Sequence, residues 1–316
     1  MEILLDIMLP VFGVVVFGAV ARALGWIKDG AVDAVASFVF NFCVPALLLR
    51  TVGTTDLPAT PPWGLFGSFY LGAILLYGFG MLTGRLAFGR PPMGQTLTGM
   101  ACAFGNTVMV GIPITLAAYG EEGALPFFLI LSVHGLLFFT VTTLLLEVQQ
   151  GAEDRSTLRD LPRNVAKSLV TNPILVGIFL GLAANLSGLG VPEPVNGIAG
   201  MMQAAVAPCA LFVLGASLVR HGIKGRVLQA SVVTVAKTLL FPAITYLLAT
   251  YLFHLEREWV EIATITAGLP VGLMVFVFSS KYGTGQAISA TAVSLSTTAS
   301  LFTLWGMLVL FDAGGV

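Results

Sequence analysis

Charge is what this sequence has least of. Asp, Glu, Lys and Arg make up 10% of its 316 residues, where a soluble domain carries about 25%. With 57% of its residues hydrophobic, the chain has too few polar side chains to cover its own surface in water. Lipid is the remaining cover. The charges nearly cancel, to a formal −1 at pH 7, which leaves no basic footprint for a nucleic acid. Cysteine is scarce as well. Cys43, Cys102 and Cys209 lie in apolar stretches with no CxxC spacing, so they read as small packing groups rather than metal or redox sites. No HExxH, paired-Asp cluster or other ligand or nucleophile constellation is present, so an enzyme embedded in the membrane would lack its chemistry, and neither a metal nor a cofactor is expected. No Asp or Glu sits in the middle of an apolar run. Such an acid often carries a coupled proton, so the coupling ion does not show in the sequence. The N-terminus also lacks the Lys or Arg that opens a secretory signal. Glu2 and Asp6 come first and Arg22 and Lys28 follow, so the first apolar segment reads as a retained span.

Apolar runs are abundant instead. A bilayer-spanning helix needs roughly 20 mostly apolar residues. Ten stretches qualify, at about 4–24, 31–51, 63–88, 94–118, 124–148, 165–187, 194–219, 226–252, 259–281 and 286–311. The loops between them are short. The longest polar one runs from Gln149 to Asn164 and divides the chain into a first five-helix half (1–150), a central loop (151–164) and a second five-helix half (165–316). Cytoplasmic loops of membrane proteins are enriched in Lys and Arg. With the N-terminus outside, the cytoplasmic loops and adjoining helix ends hold Arg22, Lys28, Arg85, Arg90, Arg155, Arg159, Arg163, Lys167, Arg220, Lys224, Arg226 and Lys281, or 12 of the 15 basic residues. The outside loops hold Arg50 and Arg257, and Lys237 lies inside a span. This asymmetry predicts an all-α integral membrane protein with ten spans and both termini outside.

The two halves resemble each other. At an offset of 163 residues Pro10 meets Pro173, Gly18 meets Gly181, Gly25 meets Gly188, and Pro45 meets Pro208. Gly105 then meets Gly268, Tyr119-Gly120 meets Tyr282-Gly283, and Phe139-Thr140 meets Phe302-Thr303. Five spans per half is an odd number, so the second half enters the membrane from the opposite side. That is an inverted repeat, the plan of many secondary transporters, whose substrates bind near the midplane where helices break.

The breaks are visible. Proline removes an amide donor and frees the carbonyl four residues earlier. Gly105, Asn106, Thr107, Gly111 and Pro113 fall within nine residues of the fourth span, and Gly268, Pro270 and Gly272 within the ninth. Both spans are predicted to unwind and cross. By the offset, Asn106-Thr107 correspond to Leu269-Pro270. Exposed amides at the start of a half-helix favour an anion, so Asn106, Thr107 and Pro270 are candidate substrate contacts, with Gly105, Gly111, Pro113 and Gly268 as hinges. A plain kink is the competing reading. Pro45 frees the carbonyl of Asn41, a further candidate. Lys237 lies some 11 residues from either end of the eighth span, about 16 Å, too deep to snorkel easily. It reads as a partner for a substrate carboxylate, as an occupant of a coupling ion's place, or as a structural bond to freed carbonyls. His134 in the fifth span reads as a substrate contact or proton relay, or as a satisfied packing group. Ser294, Ser296, Thr297, Thr298 and Ser300 read mostly as helix-helix contacts.

Val44-Pro45-Ala46-Leu47-Leu48, Asn106-Thr107…Gly111-Ile112-Pro113, Asn172-Pro173-Ile174, Pro208…Leu214-Gly215-Ala216-Ser217-Leu218, Lys237…Pro242, Pro270 and Ser296-Thr297 together resemble the auxin efflux carrier family in its bacterial form. The resemblance covers nearly the whole chain and rests on the order and spacing of these landmarks. It implies a multi-pass protein of the bacterial inner membrane, ten helices with the fourth and ninth crossing, a scaffold of helices 1, 2, 6 and 7, and a moving domain of helices 3–5 and 8–10. It implies elevator-like motion, often a homodimer, and a small organic anion as substrate. The matching residues are Asn106 at the crossover, Pro270 opposite it and Lys237 in support. An acid that plant members carry in the third span is missing here, as is their long central loop. The alternatives are a sodium-coupled carrier of the bile-acid symporter type, against which Leu269 and Pro270 argue at the positions matching Asn106 and Thr107, and a membrane sensor that does not transport.

Overall fold

The computed structural model describes residues 8–55, 61–149, 171–221 and 226–311. Among them every regular element is helical. We number the helices α1 (Leu9–Ala23), α2 (Asp29–Thr54), α3 (Trp63–Leu86), α4 (Pro92–Ala103), α5 (Ile112–Gly123), α6 (Leu125–Gln149), α7 (Pro173–Leu186), α8 (Glu193–His221), α9 (Val227–Leu252), α10 (Arg257–Gly268), α11 (Met274–Lys281) and α12 (Gln286–Phe311). The fourth and ninth predicted spans are each two helices, α4 with α5 and α10 with α11. Six helices, α2, α3, α6, α8, α9 and α12, are long and apolar enough to cross a bilayer, by length and composition. Leu9–Ala23, Thr107–Glu121 and Pro173–Leu186 are apolar but shorter. The central loop 151–164, with Lys167 and Lys224, lies outside the described residues.

Three prolines widen the helix just before them. Turns of π-helix cover Val39–Cys43, Thr107–Gly111 and Ala236–Leu240, each ending two residues before Pro45, Pro113 or Pro242. The ring of proline clashes with the carbonyl four residues back, and a wider turn relieves it. The amide of Val44 accordingly donates to the Val39 carbonyl, and that of Phe241 to Ala236. Such bulges gather at functional sites. These three hold Asn41, Thr107 and Lys237.

The chain divides into two compact units. The first holds α1, α2, α5, the first residues of α6, α7 and α8, and the second holds α3, α4, the rest of α6, and α9 to α12. The first unit is held by close helix contact at small residues, the usual glue in lipid. A Cβ on Gly215 of α8 would stand 1.8 Å from the Val15 carbonyl oxygen of α1, and one on Gly177 of α7 would stand 2.5 Å from the Pro45 carbonyl oxygen of α2. Gly215→Ala is therefore expected to push α1 and α8 apart and lower the thermal midpoint. Gly13→Ala on α1, where a Cβ meets nothing within 4 Å, should leave the midpoint unchanged, and equal midpoints would overturn the prediction. Grouping α5 with the first unit departs from the family expectation that the whole fourth span moves with helices 3 and 5. The tie is polar. Arg50 Nη1 of α2 donates to both Glu121 oxygens of α5 at 2.8 Å and to Gln203 of α8 at 2.8 Å, while its Nε reaches Asn196 Oδ1 at 3.1 Å.

The second unit has an aromatic core. Phe69 of α3 packs against Phe241 of α9 with ring centroids 5.2 Å apart, and Phe104 lies 5.5 Å from Phe138 of α6. Large apolar side chains face outward on both units, including Trp26 at 69% exposed and Ile74 at 64%. Helix ends recur along the chain. α1 ends at Ala23 and α7 at Leu186, 163 residues on. Gly25 and Gly188 follow those ends at φ 74° and 71°, and Gly120 and Gly283 stand at φ 69° and 64°.

Candidate functional site

The site forms where two helices of the second unit stop. Leu269 precedes a proline, and the ring of Pro270 disfavours the helical conformation for it. Leu269 takes φ −57° and ψ 148°, and α10 ends. Phe104 at the end of α4 is likewise extended, at φ −83° and ψ 115°. The two extended pieces lie antiparallel, with a single β-bridge between Gly105 and Val271. The Asn106 amide donates to the Pro270 carbonyl at 2.8 Å, and the Gly272 amide to the Phe104 carbonyl at 3.0 Å. Backbone groups freed by the breaks thus satisfy each other, as an apolar interior requires. The offset of 163 matches Asn106 with Leu269, whereas the bridge sets it against Pro270. Positions matched by the offset and bonded positions differ because the segments run antiparallel. The approach is close enough to need glycine, since a Cβ on Gly272 would stand 2.5 Å from the Phe104 ring.

Three side chains from other helices finish the site. Val271 donates its amide to Ser296 Oγ of α12 at 2.9 Å. Gly105 donates its amide to His134 Nε2 of α6 at 3.3 Å. Lys237 of α9 donates from Nζ to the Ala267 carbonyl in the last turn of α10, where a helix dipole is negative and favours a cation. Lys237 is fully buried, and its Nζ stands 5.0 Å above the Phe241 ring. Gly105 makes room for it, because a Cβ there would sit 3.3 Å from Nζ. His134 is 1% exposed and stacks on Phe104 at 4.8 Å. Because Nε2 accepts, the neutral ring carries its proton on Nδ1, and Nδ1 has no hydrogen-bond partner among the described residues. His134→Ala leaves the buried Gly105 amide without an acceptor, a cost of about 1–3 kcal/mol. It is expected to lower the thermal midpoint more than His134→Gln, whose amide oxygen can accept. A His134→Ala midpoint no lower than that of the Gln variant would overturn this.

A model of the membrane transport protein family, to which the auxin efflux carriers belong, matches residues 3–308. The chain belongs to this family. Similar proteins include one named "Putative malonate transporter" from Rhizobium meliloti, 26% identical over 98% of this chain and 96% of its own length. "Auxin efflux carrier component 8" of Arabidopsis thaliana is 22% identical over 92% of each chain. An "Uncharacterized transporter" of Methanothermobacter thermautotrophicus is 23% identical over 95% of each. The protein is thus a membrane transporter by family, and its relatives are named as transporters rather than enzymes.

Within this transporter the second unit gathers Gly105, Asn106, Thr107, His134, Lys237, Gly268 and Pro270. Asn41, Gly111 and Pro113 belong to the first unit, where Asn41 is exposed. Asn106 and Thr107 are buried, at 6% and 5% exposed. Sequence reasoning placed Ser296 among packing hydroxyls and missed its bond to the crossover. Its signal was the run of hydroxyls from Ser294 to Ser300, but nothing in that run distinguishes one member. Among the described residues no group of His, Cys, Asp and Glu is placed to hold a metal ion.

Proposed function

We propose that this transporter carries a small organic anion, a mono- or dicarboxylate, by elevator-type alternating access. The observation that carries the reading is the crossover. Buried in one place are a lysine ammonium, the Asn106 and Thr107 side chains, and a His134 Nδ1 proton with no acceptor among the described residues. These are donors for a carboxylate, and charge-assisted bonds of that kind are the strong ones. Pro270 shapes the facing segment. The name of the malonate relative adds a dicarboxylate to the candidates, and that of the plant relative adds an indole carboxylate.

Ten spans arranged as two inverted five-helix repeats, in a bacterial inner membrane with both termini outside, fit the basic-residue pattern. The repeat is supported further by helix ends and left-handed glycines that recur at 163 residues. The elevator reading is supported by the division that sets α1, α2, α7 and α8 apart from α3, α4 and α9 to α12. Gly105, Gly111, Pro113 and Gly268 would be the flexible points, and Asn41 stays a candidate contact on the π-helical turn before Pro45. A homodimer belongs to the same reading. A sodium-coupled carrier of the bile-acid type is disfavoured by Leu269 and Pro270, which offer no side-chain ligand.

Proteoliposomes holding the whole chain test this. Malonate, malate, succinate and indole-acetate are presented in turn, with and without proton and sodium gradients, with radiolabelled uptake and current both recorded. Uptake of at least one carboxylate above protein-free vesicles is expected. No uptake of any of them under any gradient would sink the proposal and favour a sensor that does not transport.

A further inference from the structure

We propose that the second unit also binds a zwitterionic phospholipid, with one acyl chain in a groove between α9, α10 and α12 and its headgroup at Arg257. The groove measures about 910 Å3. Its walls follow helical spacing. Leu239, Pro242, Tyr246 and Thr250 line it from one face of α9, and Thr303, Gly306 and Leu310 from one face of α12. Residues 239 to 250 span about 16 Å of helix, room for a long stretch of extended chain. The groove opens sideways. Leu239 is 49% exposed and Leu310 82%, so in a bilayer the groove meets hydrocarbon. Gly306 leaves space within it, since a Cβ there meets nothing within 4 Å.

Two observations go beyond an apolar face wetted by bulk lipid. Thr250 and Thr303 line the groove, and their hydroxyl oxygens are turned into the wall, buried without a hydrogen-bond partner among the described residues. Hydrocarbon alone would leave the Thr250 hydroxyl unsatisfied, which an apolar surrounding penalises. Rotation about χ1 exchanges the Thr250 hydroxyl with its methyl group, and the ester oxygens of a glycerophospholipid can then accept from it. Thr250 lies in the last turn of α9, which ends at Leu252, beside the rim. The second observation is the charge of that rim. The Arg257 side chain is 78% exposed. It bonds Glu261 at 2.7 Å and the Phe311 carbonyl at 3.0 Å. Glu256 and Glu258 flank it and are exposed. One cation beside three carboxylates suits a headgroup with both signs, phosphate against Arg257 and ammonium against the acids. A purely anionic headgroup would meet net repulsion.

The test is native mass spectrometry of the full-length protein. The chain is stripped of lipid in detergent, then exposed to vesicles of phosphatidylethanolamine or of phosphatidylglycerol. The wild type is expected to keep one phosphatidylethanolamine per chain and to hold phosphatidylglycerol at least about tenfold more weakly. Gly306→Phe, which fills the groove, should lose the bound lipid. Thr250→Val, nearly the same shape, should weaken retention several-fold and decides the matter if Gly306→Phe does not fold. Equal retention of both lipids, no retention by the wild type, or retention unchanged in the variants would each overturn the proposal. None of these outcomes depends on transport, so the lipid site and the carboxylate reading can fail separately.

Discussion

Asn106→Ala is expected to cut carboxylate uptake by about tenfold to a hundredfold while leaving expression and the thermal midpoint near wild type. The two halves of this expectation come from two parts of one residue. The backbone of Asn106 does the structural work, because its amide donates to the Pro270 carbonyl at 2.8 Å. Alanine keeps that amide, so the crossover persists. The side chain is buried beside the break, and a hydrogen bond to a charged group contributes about 1.5–3 kcal/mol. At about 1.4 kcal/mol per factor of ten, its removal gives the stated loss. Uptake within about twofold of wild type would show that the carboxamide does not touch substrate. A collapse of the midpoint would make it a structural group instead.

Lys237→Met is expected to abolish uptake with little loss of stability, whereas Lys237→Ala should lose both. The ammonium sits fully buried. A charge at the bilayer centre costs roughly 2.5–3.5 kcal/mol, and its bond to the Ala267 carbonyl offsets part of that. Methionine removes the burial cost while leaving the carbonyl unpaired, about 1–3 kcal/mol, so the two changes nearly cancel. It also keeps the length of the side chain. Alanine leaves a cavity as well, and truncating a long buried side chain costs about 2–5 kcal/mol. Lys237→Arg keeps the cation and should transport better than either. Uptake and midpoint measured on all four proteins separate the possibilities. Normal uptake by the Met variant would remove the cation from the mechanism. Failure of the Met variant to fold would leave Lys237 as a clamp on the end of α10.

Much of this architecture could be read along the chain, for physical reasons. Lipid demands long apolar runs, so helix positions show as stretches of composition, and α3, α9 and α12 fall close to the predicted limits. The breaks show because proline and glycine act on their own neighbours. Leu269 leaves the helix because Pro270 follows it, and a pattern of local cause is visible locally. Lys237 announces itself because a charge amid valines and leucines is expensive. Family membership was legible for the same reason, as an ordered set of such landmarks.

The partners of the freed groups were not legible. Nothing along the sequence says that the Gly105 amide goes to His134, that Val271 goes to Ser296, or that Lys237 reaches Ala267. Each joins positions at least 25 residues apart. The antiparallel register, which sets Asn106 on Pro270, also escaped the offset of 163, because an offset compares positions along the sequence and a bridge records geometry. The Arg50 clasp that draws α5 toward α2 and α8 is of the same kind. The sequence by itself determined an apolar, helical, twice-broken membrane transporter with a cation in its interior. Tertiary structure alone decided which atoms meet at the break, because a hydrogen bond needs a distance and a direction, and these come from helices packed together from opposite ends of the chain.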